Sequence, residues 1–107
     1  MFDFTGQVIA ITGASSGIGL EIARKFYLAG ARLALCSRPE ERVRSAVADW
    51  ADTSDARLLI ISADTSIIKD IYRFRDAAVE RFGRIDVWVN NAGIEHPMPT
   101  VEMTQEI

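Results

Sequence analysis

Thr12-Gly13-Ala14-Ser15-Ser16-Gly17-Ile18-Gly19 follows the apolar run Val8 to Ile11 and opens an amphipathic segment. The run reads as a buried strand and the segment as a helix, so Gly13, Gly17 and Gly19 stand where a strand turns into a helix. Absent side chains let the backbone approach a pyrophosphate, and the helix N-terminus offers unpaired N–H groups and a positive dipole end. The stretch therefore predicts a phosphate cradle.

Outward from this turn, apolar runs and helical patterns alternate. The first strand is expected over Gln7 to Ile11, and a helix from about Ile18 to Leu28 buries Ile22, Ala23 and Phe26 before Gly30 ends it. Arg32 to Ser37 is the second strand. Pro39 suits the first turn of a second helix, with Glu40 and Glu41 matching its dipole and Val43, Ala46, Val47 and Trp50 at buried spacing; this helix should end before Thr53. Leu58 to Ser62 is the third strand. Ser66 is placed to cap a third helix whose buried stripe runs Ile67, Ile71, Phe74, Ala78, Phe82 and which Gly83 terminates. The fourth strand is Ile85 to Val89. Pro97 and Pro99 keep the chain beyond Gly93 irregular, and Thr104 with Glu106 points to the start of another helix. This βαβαβαβ order specifies an α/β fold with a parallel sheet and flanking helices.

The 107 residues allow one domain, spanning 1–107. A net charge of -3 argues against nucleic acid or an anionic membrane as the main partner. The single cysteine, Cys36, lies in a predicted strand as a small buried hydrophobe, which excludes a disulfide framework and fits a reducing cytoplasm. No window reaches the ~18 apolar residues of a membrane span, so a soluble protein is expected. His96, the only histidine, has no nucleophile pattern or metal ligands around it, and no metal site is expected.

The glycine spacing G-x-x-x-G-x-G, together with Asn90-Asn91-Ala92-Gly93 directly after the fourth strand, resembles the two signature motifs of the short-chain dehydrogenase/reductase family. The resemblance covers essentially the whole chain and corresponds to the N-terminal part of the family's domain. It implies a Rossmann-like sheet of order 3-2-1-4, truncated before its second half, that binds a nicotinamide dinucleotide. By resemblance, Gly13, Ser15, Ser16 and Ile18 line the pyrophosphate and ribose side. Gly17 and Gly19 serve the turn and close helix packing. Asp64 and Thr65 look like the pair that meets the adenine, although Asp64 or Ser66 placed there also suits a helix cap. Asn91, Ala92 and Gly93 would sit beside the adenosine ribose, with Asn90 tying the central strands through side-chain to backbone hydrogen bonds.

Cofactor choice is read at the end of the second strand, where NAD enzymes place an acidic residue that grips the ribose 2′-OH. Ser37 and Arg38 stand here instead. A guanidinium binds a 2′-phosphate bidentately and a serine hydroxyl adds a hydrogen bond, so NADP(H) is favoured over NAD(H), against the alternative of Arg38 as a solvated charge. The family's catalytic Tyr-x-x-x-Lys is missing: Tyr27 is followed at the lysine position by Ala31 and Tyr72 by Asp76. The expected function is thus the NADP(H)-binding part of an oxidoreductase that exchanges hydride between the cofactor and an alcohol or carbonyl. A stand-alone dinucleotide-binding or regulatory module without catalysis is the alternative, and a small-molecule substrate is expected only with a C-terminal half. Val87, Trp88 and Val89 would form an unpaired apolar edge, which predicts self-association or a complementary chain at the fourth strand.

Overall fold

All five residues of β1 (Val8–Thr12) are buried, and its four apolar side chains divide between two apolar clusters. Ile9 and Ile11 enter one, Val8 and Ala10 the other, as the period of two requires of a strand covered on both faces. The computed structural model describes residues 3–15 and 17–91, and the backbone of 100–103. β2 (Arg32–Ser37) and β4 (Val87–Asn90) flank β1, and β3 (Leu58–Ser62) lies outside β2, all in parallel. The expected order 3-2-1-4 is present.

Helices α1 (Gly17–Leu28) and α2 (Glu41–Val47) cover the Ile9 and Ile11 face through Ala23, Val43 and Val47. The opposite face is closed by α3 (Ile68–Phe82), which inserts Phe74 and Ala78 against Val8, Ala10, Ala34 and Cys36. Phe74 is fully buried and its ring meets Trp88 edge-on at 5.6 Å. Truncating such a phenylalanine costs about 3–5 kcal/mol, so this contact is a principal anchor of α3. Among the described residues no helix is long and apolar enough to cross a membrane.

Several expectations are corrected. β5 (Thr100–Met103) runs antiparallel along β4, pairing Val87 with Met103 and Asn90 with Thr100. The chain beyond Gly93 is therefore not irregular throughout, and β4 is not an open edge. Its outward N–H and C=O groups are satisfied by the returning chain, which removes the stated ground for self-association or a complementary chain there. Pro97, Pro99, His96 and the helix expected around Thr104 and Glu106 lie outside the described residues.

β4 also begins later than the expected Ile85, because Asp86 meets β1 through its side chain. The Val8 N–H donates to Asp86 Oδ2 at 2.8 Å, and the Asp86 N–H donates to the Val8 carbonyl at 2.8 Å. Pro39 precedes α2 instead of opening it, and the helix ends at Val47, with Trp50 in the following turn packed 5.3 Å from the Tyr27 ring. Ser66 does not cap α3. The cap position is Ile67, extended at φ -115, with no side-chain hydrogen bond, because the Ser66 hydroxyl donates to Asp64 Oδ1 at 2.7 Å. Ile67 is exposed instead of joining the buried stripe.

Candidate functional site

Gly13 and Gly17 adopt φ of +65 and +63, a left-handed conformation that L side chains rarely take. Two glycines thus turn the chain sharply from β1 into α1. The N–H groups of Gly13 and Ala14 donate to the Cys36 carbonyl at 3.1 and 3.4 Å, which fastens the start of the turn to β2. The first N–H groups of α1 have no partner within the helix, and no acidic residue stands in its first turn to offset the dipole. A Cβ built on Gly17 would meet nothing within 4 Å among the described residues, so open space adjoins this positive helix end there. Ser15 is half-buried and Ile18 is exposed beside that space. Such a cradle suits an anion, and its backbone donors fit a pyrophosphate. Ser16 lies outside the described residues.

The second motif holds the first in place. Asn91 Nδ2 donates to the Gly13 carbonyl at 3.1 Å, and the Asn91 N–H donates to Thr12 Oγ1 at 3.0 Å. The Thr12 hydroxyl in turn faces Asn90 Oδ1 at 3.3 Å and the Val89 carbonyl at 3.4 Å, between which its one proton is shared. A Cβ on Gly19 would lie 2.6 Å from the Gly13 carbonyl oxygen and 2.3 Å from Asn91 Nδ2. Only a glycine lets α1 close against both. Asn90 thus meets a side chain, while the side-chain to backbone bond expected of it is made by Asn91. Ala92 and Gly93 lie outside the described residues.

The third group gathers beyond β2 and β3. Ser37 is buried, and its Oγ donates to the Pro39 carbonyl at 3.0 Å, so the proton that a phosphate would need is engaged within the chain. Arg38 is exposed and its Nη1 lies 2.6 Å from Asp64 Oδ2. Asp64 Oδ1 accepts from the Ser66 hydroxyl at 2.7 Å and the Ser66 N–H at 3.0 Å, with Thr65 between them. Those two bonds, with the Arg38 guanidinium beyond them, hold the Asp64 carboxyl below the usual carboxylate range. The Asp64 N–H donates to Asp70 Oδ2 at 2.8 Å, and Asp70 pairs with Arg73, which donates to the Ser62 carbonyl at 2.7 Å.

Because β1 to β4 are parallel, Thr12, Ser37, Ser62 and Asn90 all end on one edge of the sheet. β2 and β4 lie on opposite sides of β1, so the chain reverses direction across the sheet there, and ligands of open α/β sheets bind in such a crevice at the strands' carboxyl ends. Residues read from distant parts of the sequence thereby share one rim. Cys36 lies beneath it, fully buried, with burial pushing its thiol up to about 12. A shallow concavity of about 590 Å³ on the outer face of α3, lined by Lys69, Tyr72, Arg73 and Asp76, contains none of the candidate residues. Among the described residues no group of His, Cys, Asp or Glu is arranged to hold a metal. The roles of Thr12 and Asp70 were not read from the sequence. Thr12 carried a signal as the last residue of the strand before the glycine turn, whereas Asp70 on α3 carried none.

The family model for short chain dehydrogenases matches residues 7–107. An 11-beta-hydroxysteroid dehydrogenase-like 2 of Arabidopsis thaliana is 36% identical over 101 residues, 94% of this chain and 33% of the relative. The crystal structure of a short-chain dehydrogenase/reductase, glucose/ribitol dehydrogenase, from Brucella melitensis superposes with a TM-score of 0.73 at 36% identity, over 79% of this chain and 35% of that one. The C-domain of a bacterial malonyl-CoA reductase, crystallised with NADP, gives 0.77 at 32% identity over 85% of this chain and 15% of that one. The chain thus spans about a third of the length of the Arabidopsis relative. With a glycine turn locked by the Asn-Asn motif, a sheet of order 3-2-1-4 and the family model matched from residue 7 onward, the chain belongs to the short-chain dehydrogenase family.

Proposed function

We propose that the chain is the NADP(H)-binding N-terminal part of a short-chain dehydrogenase/reductase whose parent activity transfers hydride between NADP(H) and an alcohol or carbonyl. The observation that carries this reading is the open, uncompensated N-terminus of α1 over the Gly13 to Gly17 turn, held by Asn91. In this assignment Gly13, Ser15, Ser16 and Ile18 take the pyrophosphate side, and Asp64 and Thr65 border the adenine. Asn91, Ala92 and Gly93 adjoin the ribose. The 2′-phosphate falls to Arg38, since the Ser37 proton serves Pro39. When bound, the dinucleotide supplies the hydride chemistry, while these residues grip and orient its adenosine half.

Ser37 and a cationic Arg38, in place of an acidic residue of β2's own at that strand's end, support NADP(H) over NAD(H), and the malonyl-CoA reductase domain crystallised with NADP is a structural relative that holds that cofactor. The family's Tyr-x-x-x-Lys pair is not among these 107 residues, so proton transfer at the substrate oxygen is assigned to residues outside them. A dinucleotide-binding module without catalysis is the second reading, favoured by that same lack. Titration with NADPH and NADH tests the shared claim. Saturable binding with NADPH the tighter supports it, and binding of neither contradicts it.

A further inference from the structure

Arg38 and Asp64 were expected to serve different parts of the cofactor, yet they face each other at 2.6 Å. The two partners differ in freedom. Asp64 is held at its Oδ1 by two bonds from Ser66 and at its own N–H by Asp70, and only 26% of its side chain is exposed. Arg38 is 64% exposed, and among the described residues its side chain has no partner except Asp64. A ligand arriving at the end of β2 therefore meets a fixed carboxylate and a movable guanidinium.

We infer that Asp64 competes with the cofactor's 2′-phosphate for Arg38, and so acts as a brake on the selectivity for a phosphorylated ribose. This rests on the proposed dinucleotide site. A bare ribose leaves the pair intact and its charge neutralised. A 2′-phosphate must draw the guanidinium away or share it, beside a carboxylate of its own sign. Two opposing effects bear on the outcome: the carboxylate preorganises Arg38, and it repels the phosphate. Holding an exposed arginine by a surface ion pair contributes little, whereas a nearly doubly charged phosphate close to a fixed carboxylate feels the larger effect. Repulsion wins, so Asp64 is a specificity-determining residue.

The test is Asp64→Asn, which keeps the oxygen that accepts from Ser66 and removes the charge. Affinities of the purified protein for 2′,5′-ADP and 5′-AMP are measured calorimetrically; both probes carry the adenosine and lack the nicotinamide. The substitution should raise the ratio of 2′,5′-ADP affinity to 5′-AMP affinity by about 3- to 10-fold, since any loss of an adenine contact falls on both probes alike, with the gain shrinking at high salt. In an Arg38→Ala background Asp64→Asn should still raise that ratio, because the repulsion needs no guanidinium, but by less than in the native background, since no guanidinium remains to be released. An unchanged or lowered ratio, equal weakening of both probes included, would leave Asp64 with its adenine contact alone and overturn the inference. Wild-type protein that binds neither probe would overturn the dinucleotide site itself, and the brake with it.

Discussion

Gly19 and Asn91 occupy a single contact: a Cβ on the glycine would stand 2.3 Å from the asparagine's Nδ2, the atom that donates to the Gly13 carbonyl. The helix after the first motif and the residue after β4 close only over a glycine. Gly19→Ala should lower stability by about 1–3 kcal/mol, because one of the colliding atoms is backbone oxygen and cannot turn aside. A urea midpoint equal to that of the native protein would show that the contact is slack.

Gly17→Ala tests a different property. The added Cβ meets nothing within 4 Å among the described residues, so the cost is the left-handed backbone alone, about 1 kcal/mol. The methyl group would nonetheless occupy space beside the helix N-terminus where the pyrophosphate is proposed to lie. Dinucleotide affinity should therefore fall about tenfold or more while the protein remains folded. Unchanged affinity in titration would move the phosphate away from this turn.

Asp86 is 8% exposed and receives the Val8 N–H at the start of β1. Its other oxygen pairs with Arg84. Asp86→Ala leaves a buried donor without a partner, and should cost about 1–3 kcal/mol in denaturant unfolding. Dinucleotide binding by the folded fraction should be preserved, since Asp86 lies at the strand end opposite the proposed site.

Cys36 supplies a probe of the sheet's integrity. Burial raises its thiol to about 12, so the folded protein holds that proton throughout the range in which an exposed thiol, near ~8.5, loses it. Above about pH 8.5 the unfolded chain binds fewer protons than the folded one. This group's contribution to stability therefore declines as pH rises from there toward 12, and is flat below. An aromatic disulfide reagent at pH 8 should modify the folded protein only as fast as it opens. Prompt stoichiometric reaction would contradict the burial.

The strands were legible where the hydrophobic pattern was strong. Arg32–Ser37 and Leu58–Ser62 were read with their observed bounds, and the glycine turn was placed by its spacing alone. Errors arose where a local signal was outcompeted by a partner distant in sequence. The Ser66 hydroxyl was diverted to Asp64, and Asp86 substituted a side-chain contact with Val8 for the first residue pair of β4. β5 was hidden because Pro97 and Pro99 speak for irregular chain locally, while the pairing of Thr100–Met103 depends on an apolar neighbour. The pairing of Arg38 with Asp64 across 26 positions left no pattern to read. It follows from β2 and β3 running side by side in parallel.

The most direct test of the dinucleotide assignment is calorimetric titration of the protein with NADPH and NADH, repeated on Arg38→Ala. The expected result is one saturable site that prefers NADPH by about tenfold, with the preference erased by the substitution. Absence of saturable binding by either cofactor would contradict the assignment, and tighter NADH binding unmoved by Arg38→Ala would contradict the role given to Arg38.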